Sequence, residues 1–450
     1  MARTVSNLRT ALFNREFQAM FLIVFNSFSW YFPLFIFFSD AVEGMQLQYV
    51  QSLAVFGLHY AAAAIFAFVG NFLAERFGRN RLLSLWILIG ALASASMLLL
   101  NPAQENTLYL VSFFLGISLG LGFPSCLAFF ADHSKSESKG LLGGITFALS
   151  FLAIFVLGFL TTVAGFTTSI IVFTFWRLIS LPFFIYLKPE EKTKQAKISY
   201  PRIVRQRSVV LYILPWILFC LINFFEVPFF DSQLQQSYLG TNLSYTIAIG
   251  EFGIGGISAL IGGYLSDIIG RKRLIIAAYI MIGIGYAVLS LTSMNPIAFY
   301  SYVLLDGIAW GIFMLMFFLI IWGDLAEERL KIKYYLIGNL PFILASFIPT
   351  VVEPYVGTIQ LFTAFSIASF FLFVSILPLI YAPETLPEKA MKERELKSYL
   401  EKAQKVAQKE AKKNQKQATD KAEKEDEETT EESRESPEGA EARKLAEKYY

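Results

Sequence analysis

The chain alternates long apolar runs with short polar joins. Twelve runs have the roughly 20-residue length that a helix needs to cross hydrocarbon. They lie at residues 17–38 (α1), 48–69 (α2), 82–100 (α3), 108–130 (α4), 141–162 (α5), 168–187 (α6), 209–230 (α7), 244–264 (α8), 274–292 (α9), 297–321 (α10), 335–356 (α11) and 359–381 (α12). A single such run could be a buried core helix, but twelve in succession predict an all-α integral membrane protein. The first run is too long for a signal-peptide core and lacks a small-x-small cleavage site, so it reads as a retained helix.

Composition agrees with the pattern. Of 450 residues, 55% are hydrophobic, 45 are Phe and only 16% are charged, more apolar surface than a soluble domain can hide. Cys126 and Cys220 both fall inside apolar runs, which leaves no disulfide framework. No metal-ligand spacing and no cofactor motif occur, and no GxxxxGK[ST] loop is present through which ATP could drive this chain.

Charge adds direction. Up to Ile380 there are 22 Lys and Arg; Arg177 lies inside α6, and the other 21 precede α1 or fall in the joins 2–3, 4–5, 6–7, 8–9 and 10–11. The six alternate joins contain none. This asymmetry predicts both termini in the cytoplasm of a multi-pass plasma-membrane protein. The net charge of +2 is sorted by membrane side and gives no reason to expect nucleic acid. The basic stretch 188–208 divides the chain into an N-terminal six-helix half (1–187) and a C-terminal half (209–383). In the charged tail, 384–450, Leu396, Leu400, Ala403 and Ala407 have helical spacing. Beyond about Ala411 the composition predicts disorder.

The two halves are written twice. Residues 70–81 read GNFLAERFGRNR and residues 262–273 read GGYLSDIIGRKR, 192 positions apart. The offset persists: Asp132 ends α4 and Asp324 ends α10. Gly116 and Gly120 match Gly307 and Gly311 at an offset of 191. Two homologous halves related by an axis along the membrane normal account for the repeat. Over about residues 10–385 the chain resembles the major facilitator superfamily of secondary transporters. Its most specific feature is that superfamily's loop motif, Gly-x-x-x-x-Asp-x-x-Gly-Arg-Arg/Lys. Gly262, Asp267, Gly270, Arg271, Lys272 and Arg273 carry it after α8. Gly70, Glu75, Gly78, Arg79 and Arg81 carry a departed copy after α2, with Glu75 for Asp and Asn80 for a basic residue. Arginine in α4 and the α5 signature of drug/proton antiporters are absent, and the endings KPEEK and APETLPEK resemble sugar porters only faintly.

Physical reasoning supports the motif. Gly78 and Gly270 allow a turn at positive φ, and Gly70 and Gly262 allow close helix approach in lipid. The resemblance implies that Glu75 latches onto the start of α11 near Leu336 and Asp267 onto the start of α5 near Leu141, where helix dipoles present their positive ends. It also implies that Arg79 and Arg271 pair with Asp132 and Asp324. The alternative is that these charges only enforce topology.

An ionisable group at bilayer depth is a functional candidate. The candidates are His59, Arg177, Glu226, Glu251 and Asp306. His59 and Glu251 are 192 residues apart, equivalent positions on α2 and α8, helices that the resemblance brings together across the halves. They suggest a titratable outer gate. Asp306 lies beside Gly307 on α10, which the resemblance places on the cavity wall, and is either a proton or ligand site or a structural hydrogen-bonding group. Glu226 and Glu353 lie near enough to the outer surface to be hydrated. Arg177 could face a substrate anion, pair with an acid of the other half or snorkel. Trp30, Tyr31, Phe224 and Phe225 could stack on a sugar or an apolar ligand, or simply face lipid or core.

The reading is a secondary transporter, not an enzyme. It is expected to move a small solute by alternating access, coupled to protons, as a monomer in the bilayer. An uncoupled facilitator, a drug or metabolite exporter and a transporter-like receptor are the rivals. His59 and His133 are the only histidines, and they form no nucleophile–base set. Orientation is directly testable: cysteines placed at Gln104 and Ser293 should react with an impermeant thiol reagent from outside the cell, and one at Ser199 only from inside. Outside labelling at Ser199 would reverse the assignment.

Overall fold

The structure, a computed structural model, describes residues 15–101, 104–135, 138–187, 198–234, 249–292, 295–327, 329–386, 404 and 437–449. Twelve helices in it are long and apolar enough to cross a membrane. They are α1 Arg15–Glu43, α2 Tyr49–Phe77, α3 Arg79–Leu99, α4 Asn106–His133, α5 Lys139–Val163, α6 Phe166–Leu187, α7 Arg207–Phe230, α8 Phe252–Ile269, α9 Arg271–Leu291, α10 Ile297–Leu325, α11 Lys331–Thr358 and α12 Leu361–Tyr381. Described residues include no strand. The apolar runs locate every span, but several helices outlast their run. α2 and α8 continue through the polar motif and stop at Gly78 and Gly270, whose φ angles are 92° and 98°. A side chain is strained there, so glycine sets where the chain turns into α3 and α9.

The helices are not uniform. Pro33 lies inside α1, Pro215 and Pro228 inside α7, and Pro341 inside α11; each removes a backbone donor. α4 breaks at Leu121–Gly122 and restarts with Pro124 in its first turn. α10 passes through a π-helical stretch at Met314–Ile320, and another, Ile249–Ile254, leads into α8. Such stretches depart from the regular ladder and often mark functional places.

Residues 1–386 form one compact unit, so both six-helix halves share it. Their contacts include α5 with α8, α4 with α11 and α2 with α11. This corrects the expected meeting of α2 with α8: α2 packs on α4 and α11, and α8 on α5 and α10. The α5–α8 crossing is close because glycines line it. A Cβ on Gly144 would stand 2.6 Å from the Ala259 carbonyl oxygen, and one on Gly140 or Gly263 would overlap the opposite backbone. Without a hydrophobic drive between helices in lipid, such small-residue contact supplies the packing.

Residues 387–450 form a second unit. The expected helix at 396–411 lies, but for residue 404, outside the described residues. Pro437–Tyr449 is α-helical (α13), which corrects the expectation of disorder there. Pro437 opens the helix, Glu438 sits in its first turn and Lys448 in its last. Those charges complement the dipole, and Ala440, Ala442 and Ala446 favour helix.

The crossing predicts a contrast between two glycines of α5. Gly158 has open space around its Cβ position, so Gly158→Val should leave the thermal unfolding midpoint of the detergent-solubilised protein nearly unchanged. Gly144→Val should destabilise it by about 1–3 kcal/mol, the usual cost of overpacking. Equal midpoints would show that the crossing is loose.

Candidate functional site: an ionic seal beneath an aromatic cavity

At the end of the bundle that carries the basic joins, the halves are tied by buried ion pairs in two equivalent sets. Asp132, at the end of α4, pairs with Arg79 of its own half and accepts from Lys331 of the other half at 2.6 Å. Asp324, at the end of α10, pairs with Arg271 of its own half at 2.9 Å and with Lys139 of the other half at 2.6 Å. The intra-half pairs are those the motif implied. Lys139 and Lys331 did not stand out in the sequence, yet they are also 192 residues apart, and a search of the polar joins at that offset would have found them. Each acid thus sits between a cation of its own half and one from the opposite half.

Asp267 adds a second tie. Its Oδ1 accepts from the Gly140 amide at 3.0 Å and its Oδ2 from the Leu141 amide at 2.9 Å, so the carboxylate caps the free donors of the first turn of α5. Arg271 lies 3.6 Å from the same carboxylate. Glu75 behaves differently. It reaches Lys333 at 3.1 Å, three residues short of the expected Leu336, and it meets a side chain instead of a helix end. The equivalents of Gly140 and Gly263 in this second crossing are Ile332 and Asn71. This crossing therefore lacks the glycine pair through which α5 and α8 meet backbone to backbone. Asn71 donates to the hydroxyl of Tyr200, in the central join, at 2.8 Å. Burial and the nearby Glu75 push the Tyr200 phenol up to about 12, so it stays neutral. Arg81 and Arg273, expected in the seal, are exposed. Lys272 instead donates to the Ala382 carbonyl at 3.0 Å. Glu384, from the weak APE ending, accepts from the Arg271 amide at 2.9 Å and the Lys272 amide at 3.2 Å, capping α9.

Above the ion pairs lies an aromatic layer. Phe28 of α1, Phe123 of α4 and Phe318 of α10 meet with centroids 5.6–5.8 Å apart. Over it opens a cavity of about 180 Å³ that both halves line, with Tyr31, Phe35, Tyr60, Phe224, Trp310 and Phe342 among its walls. Among the described residues its lining contains no charged residue, and its polar groups include Ser27, Tyr31, Tyr60 and Ser346. On the far side Tyr60 faces the Phe347 ring at 6.2 Å, and the Tyr49 hydroxyl donates to the Val351 carbonyl at 3.2 Å.

The intramembrane candidates separate. Tyr31 and Phe224 line the cavity as expected, whereas Trp30 is buried in the N-terminal half and Phe225 packs with Phe229. His59 is buried and spends both ring nitrogens within its own half. Nδ1 must donate to the Ser112 carbonyl at 3.2 Å, which leaves Nε2 to bond the Tyr31 hydroxyl at 2.7 Å. The His59–Glu251 gate therefore lacks its premise: among the described residues α2 packs mainly on α4 and α11 and α8 on α5 and α10, and His59 is engaged elsewhere. Glu251 belongs to the π-helical stretch before α8, and its side chain lies outside the described residues. Asp306 is buried but does not line the cavity. Glu226, expected to be hydrated, is 1% exposed, whereas Glu353 is exposed. Arg177 neither snorkels nor meets an acid. Its guanidinium lies between the Trp30 and Trp86 rings, at 4.5 and 4.3 Å, and donates to Asn26 Oδ1 at 2.8 Å and Ser27 Oγ at 3.0 Å. Stacking on two faces replaces a counter-ion there. A side chain at Gly90 would strike it.

The sequence model of the Major Facilitator Superfamily matches residues 19–330. The chain belongs to this superfamily. It is similar in fold to the transporter FucP in the outward conformation, with a TM-score of 0.66 at 12% identity over 82% of this chain and 98% of that one. The proton:xylose symporter XylE bound to 6-bromo-6-deoxy-D-glucose gives a TM-score of 0.62 at 14% identity over 82% and 96%. The human organic anion transporter MFSD10 gives a TM-score of 0.62 at 12% identity over 81% and 99%. No curated protein matches the sequence. At these identities the likeness shows the fold, and the chain is a multi-pass transporter of this superfamily.

Ser266 is fully buried beside the Asp267 tie, and a cysteine there reports opening. Two charge-assisted bonds hold Asp267, each worth about 1.5–3 kcal/mol. Asp267→Asn should therefore raise labelling of Ser266→Cys at least about tenfold. Glu75→Gln, which loses one partly exposed pair, should raise it little. Unchanged labelling in Asp267→Asn would remove the latch role.

Proposed function

We propose that this transporter carries a small solute across the plasma membrane by alternating access, coupled to protons, with the ionic seal on the cytoplasmic side. The observation that supports this reading is a shared cavity with a two-layer closure at one end. An aromatic floor excludes water, and beneath it salt bridges join the halves. Such bridges can exchange protein partners for water when the halves rock apart, and a mirrored contact can then form on the other side. Wall chemistry favours a solute with a broad apolar or ring face, held by a few hydroxyls. FucP and XylE are described as proton symporters of fucose and xylose, which agrees with proton coupling. The uncoupled alternative draws support from one observation: among the described residues no acidic or basic side chain lines the cavity.

Uptake into proteoliposomes from a pooled set of small solutes separates the two. Accumulation should follow an imposed inward proton gradient and collapse when a protonophore dissipates it. Uptake indifferent to the gradient between about pH 5 and 8 would replace symport with facilitated diffusion.

A further inference from the structure

Five polar side chains are among the residues that line the aromatic cavity: Ser27, Tyr31, Tyr60, Trp310 and Ser346. Each brings one hydrogen to donate, and four of the five have already given it to the protein. Ser27 Oγ donates to the Ile23 carbonyl at 2.5 Å and Ser346 Oγ to the Phe342 carbonyl at 2.7 Å, each within its own helix. Trp310 Nε1 donates to Asn223 Oδ1 at 2.9 Å. The Tyr31 hydroxyl bonds His59 Nε2 at 2.7 Å. Tyr60 alone forms no hydrogen bond among the described residues.

The direction of the Tyr31–His59 bond follows from the other ring nitrogen. The Ser112 carbonyl can only accept, so Nδ1 carries the ring hydrogen. His59 is fully buried, with the rings of Tyr31, Phe35 and Tyr60 around it at 6.4, 4.7 and 5.0 Å. A second ring proton would place a charge in this apolar setting at high cost, so Nε2 stays bare. Tyr31 must then donate, and its oxygen has only lone pairs left for the cavity. Ser346 is in the same state. Ser27 has little of either kind to offer, because its oxygen also accepts from Arg177 Nη1 at 3.0 Å.

A carboxylate or phosphate entering this cavity would meet lone pairs and a single free O–H, and an anion buried without donors is expensive. The aromatic faces would attract a cation, but no acid lines the wall among the described residues, and the Arg177 guanidinium behind Ser27 opposes it. An uncharged solute that supplies the hydrogens fits, with its ring against the aromatic faces. We infer that the cavity selects an uncharged, ring-shaped solute that binds as a hydrogen-bond donor, and that His59 sets this polarity by holding the Tyr31 hydrogen. His59 is a positioning residue, since Tyr31 and not His59 touches solute. This class of solute deepens the transport reading and rests on it, with the aromatic cavity as the binding site.

Saturation-transfer NMR titrations of the full chain in lipid nanodiscs, with empty nanodiscs subtracted, test this with three ring probes. Cyclohexanol supplies a donor, methoxycyclohexane has the same oxygen without a hydrogen to give, and cyclohexanecarboxylate carries a charge. The alcohol should bind at least about tenfold more tightly than either of the others, as expected when a buried acceptor is left unpaired. Tyr31→Phe removes the wall acceptor and should cut the preference for alcohol over ether at least about threefold. His59→Phe keeps a ring and frees the Tyr31 hydrogen, so the ether should bind more tightly and the preference should narrow likewise. A purely structural His59 would weaken all three probes alike, and an unchanged ratio in folded His59→Phe removes its role. Tyr31→Phe, the milder change, decides the matter if His59→Phe does not fold. Equal binding of alcohol and ether, tight binding of the carboxylate, or a ratio that survives Tyr31→Phe would overturn the donor rule. Uptake of the pooled solutes separates this rule from the transport reading. Gradient-driven accumulation without preference for donors overturns the rule and leaves symport standing. Donor-selective binding with uptake indifferent to the gradient upholds the rule and overturns symport.

Discussion

Two buried carboxylates, Asp132 and Asp324, hold this bundle in the form seen. Each is shared between an arginine of its own half and a lysine of the opposite half. The arrangement is stable only while complete. Removing one partner from a buried ion pair leaves an unbalanced charge that typically costs about 3–5 kcal/mol. Opening the seal differs from mutating it, because water can reach all the charges at once. The same charges that close the basic end can therefore release it without leaving any of them dry and unpaired. This is the property a reversible gate needs.

The rest of the site follows from keeping those charges apart from the solute. The phenylalanine layer of Phe28, Phe123 and Phe318 lies between the ions and the cavity, so the cavity wall can be aromatic and uncharged. Buried charge elsewhere is placed away from that wall. Arg177 is stacked between two tryptophans of the N-terminal half and touches the cavity only through Ser27. In the C-terminal half, Glu226 and Asp306 are buried outside the described lining of the cavity. The two crossings between halves also differ. α5 and α8 close backbone to backbone through glycines, whereas α2 and α11 are bridged by Glu75, Lys333 and Tyr200. The closure is symmetric in its ion pairs and asymmetric in its helix contacts.

Much of this was legible in the chain. Apolar run length located all twelve spans, and the repeated loop, through the superfamily resemblance that it carries, implied the arginine–acid pairs and the Asp267 tie. What failed depended on which helices face each other. His59 and Glu251 are equivalent in sequence, but equivalence under a two-fold axis does not imply contact, and their helices pack on other neighbours. Glu75 meets the Lys333 side chain instead of its expected target, in a crossing where Ile332 and Asn71 stand in place of the glycines of the other one. Glu226 looked hydrated from its distance along α7, and its burial comes from helices far away in sequence. α13 was read as disordered because its composition lacks a core, whereas its alanines and end charges favour helix locally.

The central claim is that the shared carboxylates hold the basic end shut. Pulsed electron resonance between spin labels on Arg81→Cys and Arg273→Cys, exposed residues of opposite halves, measures that closure without requiring a known solute. The account predicts one narrow distance distribution in the otherwise unaltered protein, and a second, longer population when Asp132→Asn and Asp324→Asn are both introduced. Identical distributions in the two proteins would contradict it.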